Sequence, residues 1–292
     1  MTSDRAPSRR WLTYLRERSP LPALLAVALA QSLSAHYLFR PDFDAGAVAM
    51  SALGIVGLLV LMRLMDELKD EAKDRVAHPD RPLPRGLVTA LEVRGAVWTC
   101  GLALLGFAAI VAATRAPAAG ALYALAVGYA FLMYGEFFVP RLLNANAFVY
   151  ATSHQLIVIP MYAFAVATSS PGDALSARAL WFALAGLGAS FAFEVGRKLD
   201  PAAHPVLGTY LRLYGRIAAT AAIAAALALL AVGAYRVDVH RIVWPFVAIV
   251  LVTLPLLFVR PKWFRVIEGA AALLAFVQML APTVRHLWEA VT

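Results

Sequence analysis

Carboxylates crowd the segment that follows the apolar run GIVGLLVLMRLM, where five of nine residues are acidic. Asp66, Asp70 and Asp74 are spaced four residues apart, which separates successive members by about 40° around an α-helix. Glu67 lies about 100° from Asp66, so these four side chains predict one acidic helical face. Like charges on one face repel unless a cation binds there, and Mg²⁺ prefers such oxygen ligands, often together with substrate phosphate. We therefore predict a catalytic Mg²⁺ site formed by these four carboxylates.

The stretch HPDRPLPRG that follows is stiff and cationic. Pro79, Pro82 and Pro84 fix the backbone and remove hydrogen-bond donors. Arg81 and Arg85 are thereby held beside the carboxylates, an arrangement suited to an anionic substrate bridged by a metal ion and by arginine. We predict that Arg81 binds this anion. The alternative is a solvated charged loop at a membrane edge, in which neighbouring lysines pair with the acids.

The composition places this segment in a membrane protein. Of the 292 residues, 61% are hydrophobic and 15% are charged, whereas soluble domains are about 45–50% apolar and about 25% charged. The net charge of +8 is typical of cytoplasmic loops that face anionic lipid. No RNA- or DNA-binding motif accompanies the charge, so we expect membrane lipid as a partner and no nucleic acid.

Nine apolar stretches are long enough to span a bilayer, which requires about 20 residues. The predicted spans are 20–39, 45–65, 88–113, 118–135, 146–168, 175–195, 215–235, 241–259 and 265–284. Most of the 26 Lys and Arg residues fall on the inside when the N-terminus is cytoplasmic, as the positive-inside rule requires. We therefore predict an all-α polytopic membrane protein, a bundle of nine transmembrane helices with a cytoplasmic N-terminus. The two most polar loops, after the second and sixth spans, would share the cytoplasmic side.

We predict two parts of the chain. Residues 1–19 place Trp11, Leu12 and Tyr14 among arginines, a pattern typical of a short interfacial helix. Residues 20–292 contain no recognisable soluble domain or long linker, and we expect them to form a single transmembrane domain. We expect an integral protein of a bacterial inner (cytoplasmic) membrane, with the active site facing the cytoplasm.

The first acidic segment carries a resemblance to a known family. The spacing Asp66-x3-Asp70-x3-Asp74, followed by HPDRPLPRG, resembles the first aspartate-rich motif of the UbiA-type intramembrane prenyltransferase superfamily with its trailing Arg-Pro-Leu-Pro-x-Gly. Members usually begin this motif with Asn-Asp, in place of which this chain has Asp66 and Glu67, so oxygen ligands are retained. The resemblance is specific by motif over 63–86. It covers most of the chain by topology, because members have nine helices with the N-terminus inside.

The loop after the sixth span departs from the family pattern, which has a second aspartate cluster there. The loop reads FEVGRKLDPAAHPVLGTYLRLYG, in which Glu194 stands at the first aspartate's place and Asp200 follows. The resemblance implies that Glu194 is catalytic and that both acids bind Mg²⁺. Arg197 and Lys198 occupy places where further carboxylates would be expected, and we predict that they bind diphosphate directly, arginine through bidentate hydrogen bonds and lysine as a point charge. The alternative for both is positive-inside topology alone.

The resemblance implies ionisation of an allylic prenyl diphosphate with Mg²⁺ as cofactor, in a pocket lined by spans four to six. Arg141 follows a proline, as a basic residue often does in the family, and is a third diphosphate-binding candidate. Tyr134 and Tyr150 are candidates to stabilise a carbocation through their aromatic faces. Asn144 and His154 are candidates to orient an acceptor or accept a proton. The alternatives are packing for the aromatic residues and a helix-to-helix hydrogen bond for His154.

These residues leave four functions open. The leading prediction is a prenyltransferase that moves a prenyl group from diphosphate onto a lipid-soluble acceptor, with an aromatic compound as one candidate. A terpene cyclase on the same scaffold is the second, since the altered loop after the sixth span leaves the reaction type open. A transporter or lipid-binding membrane protein is the third, although the charges cluster on one face rather than at the bilayer midplane of both halves. The fourth is a protein that binds prenyl diphosphate without turnover.

Overall fold

The computed structural model describes residues 7–292, which are all-helical, with no strand among them. The helices in chain order are α1 (Pro7–Arg18), α2 (Leu21–Tyr37), α3 (Ala45–Lys69), α4 (Glu71–Ala77), α5 (Ala90–Thr114), α6 (Pro117–Tyr134), α7 (Pro140–Ala145), α8 (Ala147–Gln155), α9 (Val158–Ser169), α10 (Ala177–Arg197), α11 (Tyr210–Arg236), α12 (His240–Thr253), α13 (Leu256–Val259) and α14 (Phe264–Glu289). Short 3₁₀ turns cover Glu136–Phe138, Pro171–Asp173, Pro205–Leu207 and Pro261–Trp263. The predicted all-α class is confirmed.

Eight segments of the described chain are long and apolar enough to cross a membrane, by length and composition. They are Ala45–Lys69, Ala90–Thr114, Pro117–Tyr134, Ala147–Ser169, Ala177–Arg197, Tyr210–Arg236, His240–Val259 and Phe264–Glu289. They match eight of the predicted spans and indicate an integral membrane protein. The remaining predicted span, 20–39, corresponds to α2, whose 17 residues reach about 25 Å against a hydrocarbon core of about 30 Å. The count of nine spans and the N-terminal orientation stay predictions.

Helix α3 carries the first acidic segment to one end of the bundle. It begins after Asp44, whose Oδ1 accepts a hydrogen bond from the N–H of Ala47 at 2.9 Å, an arrangement that stabilises a helix N-terminus. It ends at Lys69; the next residue, Asp70, has φ −92° and ψ 1°, and α4 begins directly after it. The chain therefore bends within the acidic segment, whereas the sequence predicted one continuous helical face over Asp66–Asp74.

Small residues let α10 and α11 pack closely. A Cβ atom on Gly188 would lie 2.6 Å from the carbonyl oxygen of Ala226, and one on Gly233 would lie 2.8 Å from that of Trp181. Such close approach of two backbones is typical of paired membrane helices. It fixes the position of α10, which carries Glu194 near its end.

The two polar loops meet at the same end of the bundle. Helix α4, in the first loop, packs against the turn Pro205–Leu207 in the second. Helix α1 lies against the same end, where Arg10 pairs with Glu92 at 2.8 Å and Tyr14 is fully buried. Residues 1–6 of the predicted interfacial segment lie outside the described residues.

Candidate active site

Asp66 and Asp70 stand one turn apart at the end of α3. The N–H of Asp70 donates to the carbonyl oxygen of Asp66 at 2.9 Å, which preserves the helical turn between the two side chains. The Asp66 side chain is 53% exposed, and it pairs with Arg63 only at 3.9 Å. The half-buried Asp70 side chain forms no ion pair within the described part of the chain. Both carboxylates are therefore open to a further partner.

Glu67 points away from these two acids and into the contact with α1. Its side chain is fully buried and accepts a hydrogen bond from Arg18 Nε through Oε1, while Oε2 has no hydrogen-bond partner among the described residues. The hydroxyl of Tyr14 beside it is also without a hydrogen-bond partner in the part of the chain that the structure describes. Burial, and secondly the charge of Glu67, raise the pKa of Tyr14, so this hydroxyl stays protonated. The predicted metal-binding role of Glu67 stays a prediction, with one oxygen already bonded to arginine.

Asp74 is held by the arginine of its own loop. Its side chain is 3% exposed, and Arg81 Nη1 lies 2.6 Å and 2.7 Å from its two carboxylate oxygens. Arg85, the second arginine of the loop, pairs instead with Glu17 of α1 at 2.8 Å. The ion pairs of Arg81 and Arg85 thus hold the loop after α4 at two points. Arg81 also neutralises the charge of the buried Asp74.

Glu194, Arg197 and Lys198 form a compact charge cluster at the end of α10. Arg197 Nη2 lies 2.5 Å from Oε2 of Glu194, and Lys198 Nζ lies 2.7 Å from Oε1. Asp200 does not join this cluster, because its Oδ1 accepts a hydrogen bond from the N–H of Ala202 at 2.8 Å and so stabilises a turn. Both cations are 38–47% exposed, which leaves them accessible to an anion.

A cleft opens beside Asp66 between α3, α6 and α8. Its volume is about 20 Å³, and its walls are formed by Met62, Met65, Asp66, Lys69, Ala130, Met133, Tyr134 and His154. Three of the predicted site residues, Asp66, Tyr134 and His154, are therefore brought together across 88 residues of sequence. The cleft combines one carboxylate and one lysine with an apolar and aromatic wall.

Tyr150 contacts two of the residues that line the cleft. Its ring stacks on that of His154, with 4.0 Å between the ring centres, and Lys69 Nζ lies 5.2 Å from the centre of the Tyr150 ring. Asn144 does not line the cleft, and its Nδ2 donates to Glu136 Oε2 at 3.2 Å. Arg141 is exposed at the start of α7.

Three residues with contacts at this site were not among the predicted site residues. Arg18 is separated from Glu67 by 49 residues, and Lys69 is separated from His154 by 85. Glu136, whose left-handed backbone conformation (φ 48°) is rare for this residue type, lies 4.0 Å from Lys69. Of these three residues, only Lys69 could have been found from the sequence, because it lies between Asp66 and Asp70.

Two of the predicted carboxylate ligands, Asp66 and Asp70, remain available to bind Mg²⁺. Among the described residues, no group of three or more His, Cys, Asp or Glu side chains is placed to hold a metal ion. Glu67, Asp74 and Glu194 are bonded to arginine or lysine. Asp66 and Asp70 remain, and Mg²⁺ is commonly held by one or two carboxylates together with substrate phosphate oxygens. The donor set therefore fits a Mg²⁺ ion that binds with a phosphate-bearing ligand.

Comparison of the chain with protein-family models, with curated proteins and with solved structures returned no match. The resemblance to the UbiA-type prenyltransferases rests on the residues of the first acidic segment and stays a prediction.

Proposed function

We propose that this chain is an integral membrane enzyme, of the UbiA type that its first acidic segment resembles. In this proposal it ionises an allylic prenyl diphosphate in a Mg²⁺-dependent reaction and transfers the prenyl group to a lipid-soluble acceptor. The observation that carries the proposal is the cleft in which Asp66 lies beside Lys69, Tyr134 and His154. One carboxylate, one lysine and an apolar and aromatic wall line one opening, and these suit the metal, phosphate and prenyl parts of such a substrate.

The contact between the two polar loops gives a second line of support. Arg81 lies in the first loop, and Arg197 and Lys198 lie at the start of the second, whose turn Pro205–Leu207 packs against α4. A diphosphate carries several negative charges, and charge-assisted hydrogen bonds from arginine and lysine are among the strongest that proteins form. The convergence of these cations at one end of the bundle suits a diphosphate.

The proposed reaction begins with cleavage of the allylic C–O bond, whose electron pair leaves with the diphosphate. A Mg²⁺ ion held by Asp66 and Asp70 would supply charge neutralisation for this leaving group. Arg197 and Lys198 hydrogen-bond to the diphosphate as its charge develops. The aromatic face of Tyr134 stabilises the allylic cation, and the apolar bundle excludes the water that would quench it. A nucleophilic atom of the acceptor then forms the new bond and loses a proton, for which the released diphosphate is an available base.

The proposal includes the placement of the protein in the membrane. Helix α2 completes nine spans, since a short hydrophobic helix is accommodated by local thinning of the bilayer and by its flanking residues. The N-terminus and both polar loops face the cytoplasm because Lys and Arg are concentrated there. The membrane is the inner membrane of a bacterium, and the site opens to the cytoplasm, where soluble prenyl diphosphates and Mg²⁺ are supplied.

The test uses the full chain purified in detergent with Mg²⁺. Geranyl, farnesyl and geranylgeranyl diphosphate are added one at a time, first alone and then with a phenolic acceptor or a membrane extract. Pyrophosphate release and organic-phase products are followed, with a chelated sample as the control. Release that requires both an acceptor and Mg²⁺ supports the prenyltransferase. A cyclic product formed without an acceptor would identify a terpene cyclase instead, and no release with any substrate would contradict both enzymes.

A further inference from the structure

Lys69 is a largely buried cation on the wall of the cleft. Its side chain is 13% exposed, and the cleft is lined by it together with Asp66. Its Nζ donates to the carbonyl oxygen of Met133 at 2.9 Å and lies 3.1 Å from His154 Nε2. A buried charge is costly unless it is hydrogen-bonded and paired with an opposite charge. The partners of this ammonium group therefore determine what else it can bind.

The hydrogen bonds around His154 show which of its nitrogens accepts from Lys69. His154 Nδ1 lies 2.8 Å from the carbonyl oxygen of Tyr150, and a carbonyl oxygen only accepts hydrogen bonds. Nδ1 is therefore protonated, and Nε2 accepts from the ammonium group of Lys69. Two of the three N–H donors of Lys69 are thus used by neutral acceptors.

The ion pair that balances the charge of Lys69 is loose. Glu136 Oε1 lies 4.0 Å from Lys69 Nζ, beyond hydrogen-bond distance. The other oxygen of Glu136 accepts from Asn144 at 3.2 Å. The third N–H donor of Lys69 therefore forms no hydrogen bond with this carboxylate, and Asp66, which lines the same cleft, is a second acidic neighbour.

Glu136 belongs to a segment with a strained backbone. The φ angles of Glu136, Phe137 and Phe138 are 48°, 51° and 60°, a left-handed conformation that costs about 1–2 kcal/mol for each residue other than glycine. Such strain is found at functional sites, where surrounding contacts hold it. Lys69, on α3, is held by hydrogen bonds to Met133 of α6 and His154 of α8, whereas Glu136 lies 4.0 Å from Lys69, so Glu136 is the more easily displaced of the two partners.

We infer that Lys69 binds the phosphate end of the substrate directly, and that Glu136 takes the place of this phosphate until an anion enters the cleft. A phosphate oxygen would accept the third N–H of Lys69 and supply the charge that Glu136 provides only at a distance. The inference rests on the proposed function, because that proposal supplies the diphosphate. It predicts opposite effects for the two partners: loss of Lys69 weakens binding of the anion, and loss of the Glu136 charge strengthens it.

The test measures binding of inorganic pyrophosphate to the full chain in detergent by titration calorimetry, with and without Mg²⁺. Lys69→Gln should weaken binding at least tenfold, Lys69→Arg should restore part of it, and Glu136→Gln should strengthen it severalfold. Lys73→Gln is the matched control, since Lys73 is exposed on the next helix and should bind as the wild type does. Thermal unfolding of each variant reports whether the fold is intact.

Several results would overturn the inference. Unchanged affinity in Lys69→Gln would do so, as would weaker binding in Glu136→Gln, which would mean a structural ion pair. If Lys69→Gln does not fold, the sign of the Glu136→Gln effect decides the question. A response of Lys69 variants to phosphatidylglycerol micelles, with none to pyrophosphate, would assign the site to a lipid headgroup and contradict the inference.

The failure of this inference is distinguishable from the failure of the proposed function. Wild-type protein that releases pyrophosphate from a prenyl diphosphate, with the same KM in Lys69→Gln, leaves the enzyme standing and removes Lys69 from it. If the wild-type protein binds pyrophosphate through Lys69 but turns over no prenyl diphosphate, the inferred anion site is supported and the proposed enzyme activity is contradicted. Wild-type protein that does neither contradicts both.

Discussion

Arg81 Nη1 lies 2.6 Å and 2.7 Å from the two oxygens of Asp74, and so one guanidinium nitrogen holds both oxygens of a buried carboxylate. Removing one partner of a buried ion pair leaves an unpaired charge, which costs about 3 kcal/mol or more. We expect Asp74→Ala and Arg81→Ala each to lower the stability of the protein by about this amount. Chemical unfolding in detergent measures the loss.

The double variant of Asp74 and Arg81 separates the energy of the ion pair from the energy of each residue's other contacts. Each single change already breaks the contact. The loss of stability in the double variant should therefore be smaller than the sum of the two single losses, by about 1–3 kcal/mol. Strictly additive losses would show that the two side chains act independently.

Asp66 and Asp70 should behave differently from Asp74, because neither is held by a close ion pair. We expect Asp66→Asn and Asp70→Asn to reduce Mg²⁺-dependent pyrophosphate release by about a hundredfold or more, since a bound metal stabilises developing charge by several kcal/mol. The unfolding temperature should change little. Glu71→Gln is the matched control, because Glu71 pairs with exposed Arg75 at 2.6 Å and such surface pairs contribute little. Wild-type rates in both aspartate variants would remove the metal site from the proposal.

Arg18 and Glu67 give a prediction about the contact between α1 and the bundle. Arg18→Ala leaves the fully buried Glu67 carboxylate without a cation, so we expect a stability loss of about 3 kcal/mol. Adding Glu67→Gln to that variant removes the uncompensated charge, and the double variant should regain part of the loss. Unfolding curves of the three proteins measure this order. A double variant less stable than Arg18→Ala would mean that Glu67 is needed for another reason.

Arg197 and Lys198 are predicted to act on the substrate rather than on the metal. Hydrogen bonds to charged groups contribute about 1.5–3 kcal/mol, so Arg197→Ala and Lys198→Ala should each raise the KM for the prenyl diphosphate about tenfold or more. The Mg²⁺ concentration that gives half-maximal rate should stay the same. Arg75→Ala serves as the control, because Arg75 is an exposed residue of α4. The reverse pattern, with altered Mg²⁺ dependence and unchanged KM, would mean that Glu194 and its partners organise the metal.

Much of the membrane architecture could be predicted from the sequence, because hydropathy over about 20 residues depends only on neighbours in the chain. The eight long spans agree with their predicted ranges to within about five residues. The largest differences are at the end of α14, at Glu289 where 284 was predicted, and at the start of α11, at Tyr210 where 215 was predicted. There the backbone of Gly215 has φ 75° and ψ 178°, which breaks the regular helix at the residue where the apolar run begins. The four-residue spacing of Asp66 and Asp70 likewise predicted that the two carboxylates lie one turn apart on the same helical face.

The partners of each charged residue were decided by the tertiary structure alone. Helical periodicity gives the direction of a side chain around its own helix, but it does not say which other helix lies in that direction. Glu67 and Asp66 are adjacent in sequence, yet one is buried against Arg18 of α1 and the other lines the cleft. Lys69 meets His154 only because α3 and α8 converge on the end of α6. The sequence by itself determined which residues carry charge at the membrane edge, and helix packing decided which of them pair and which remain free to bind.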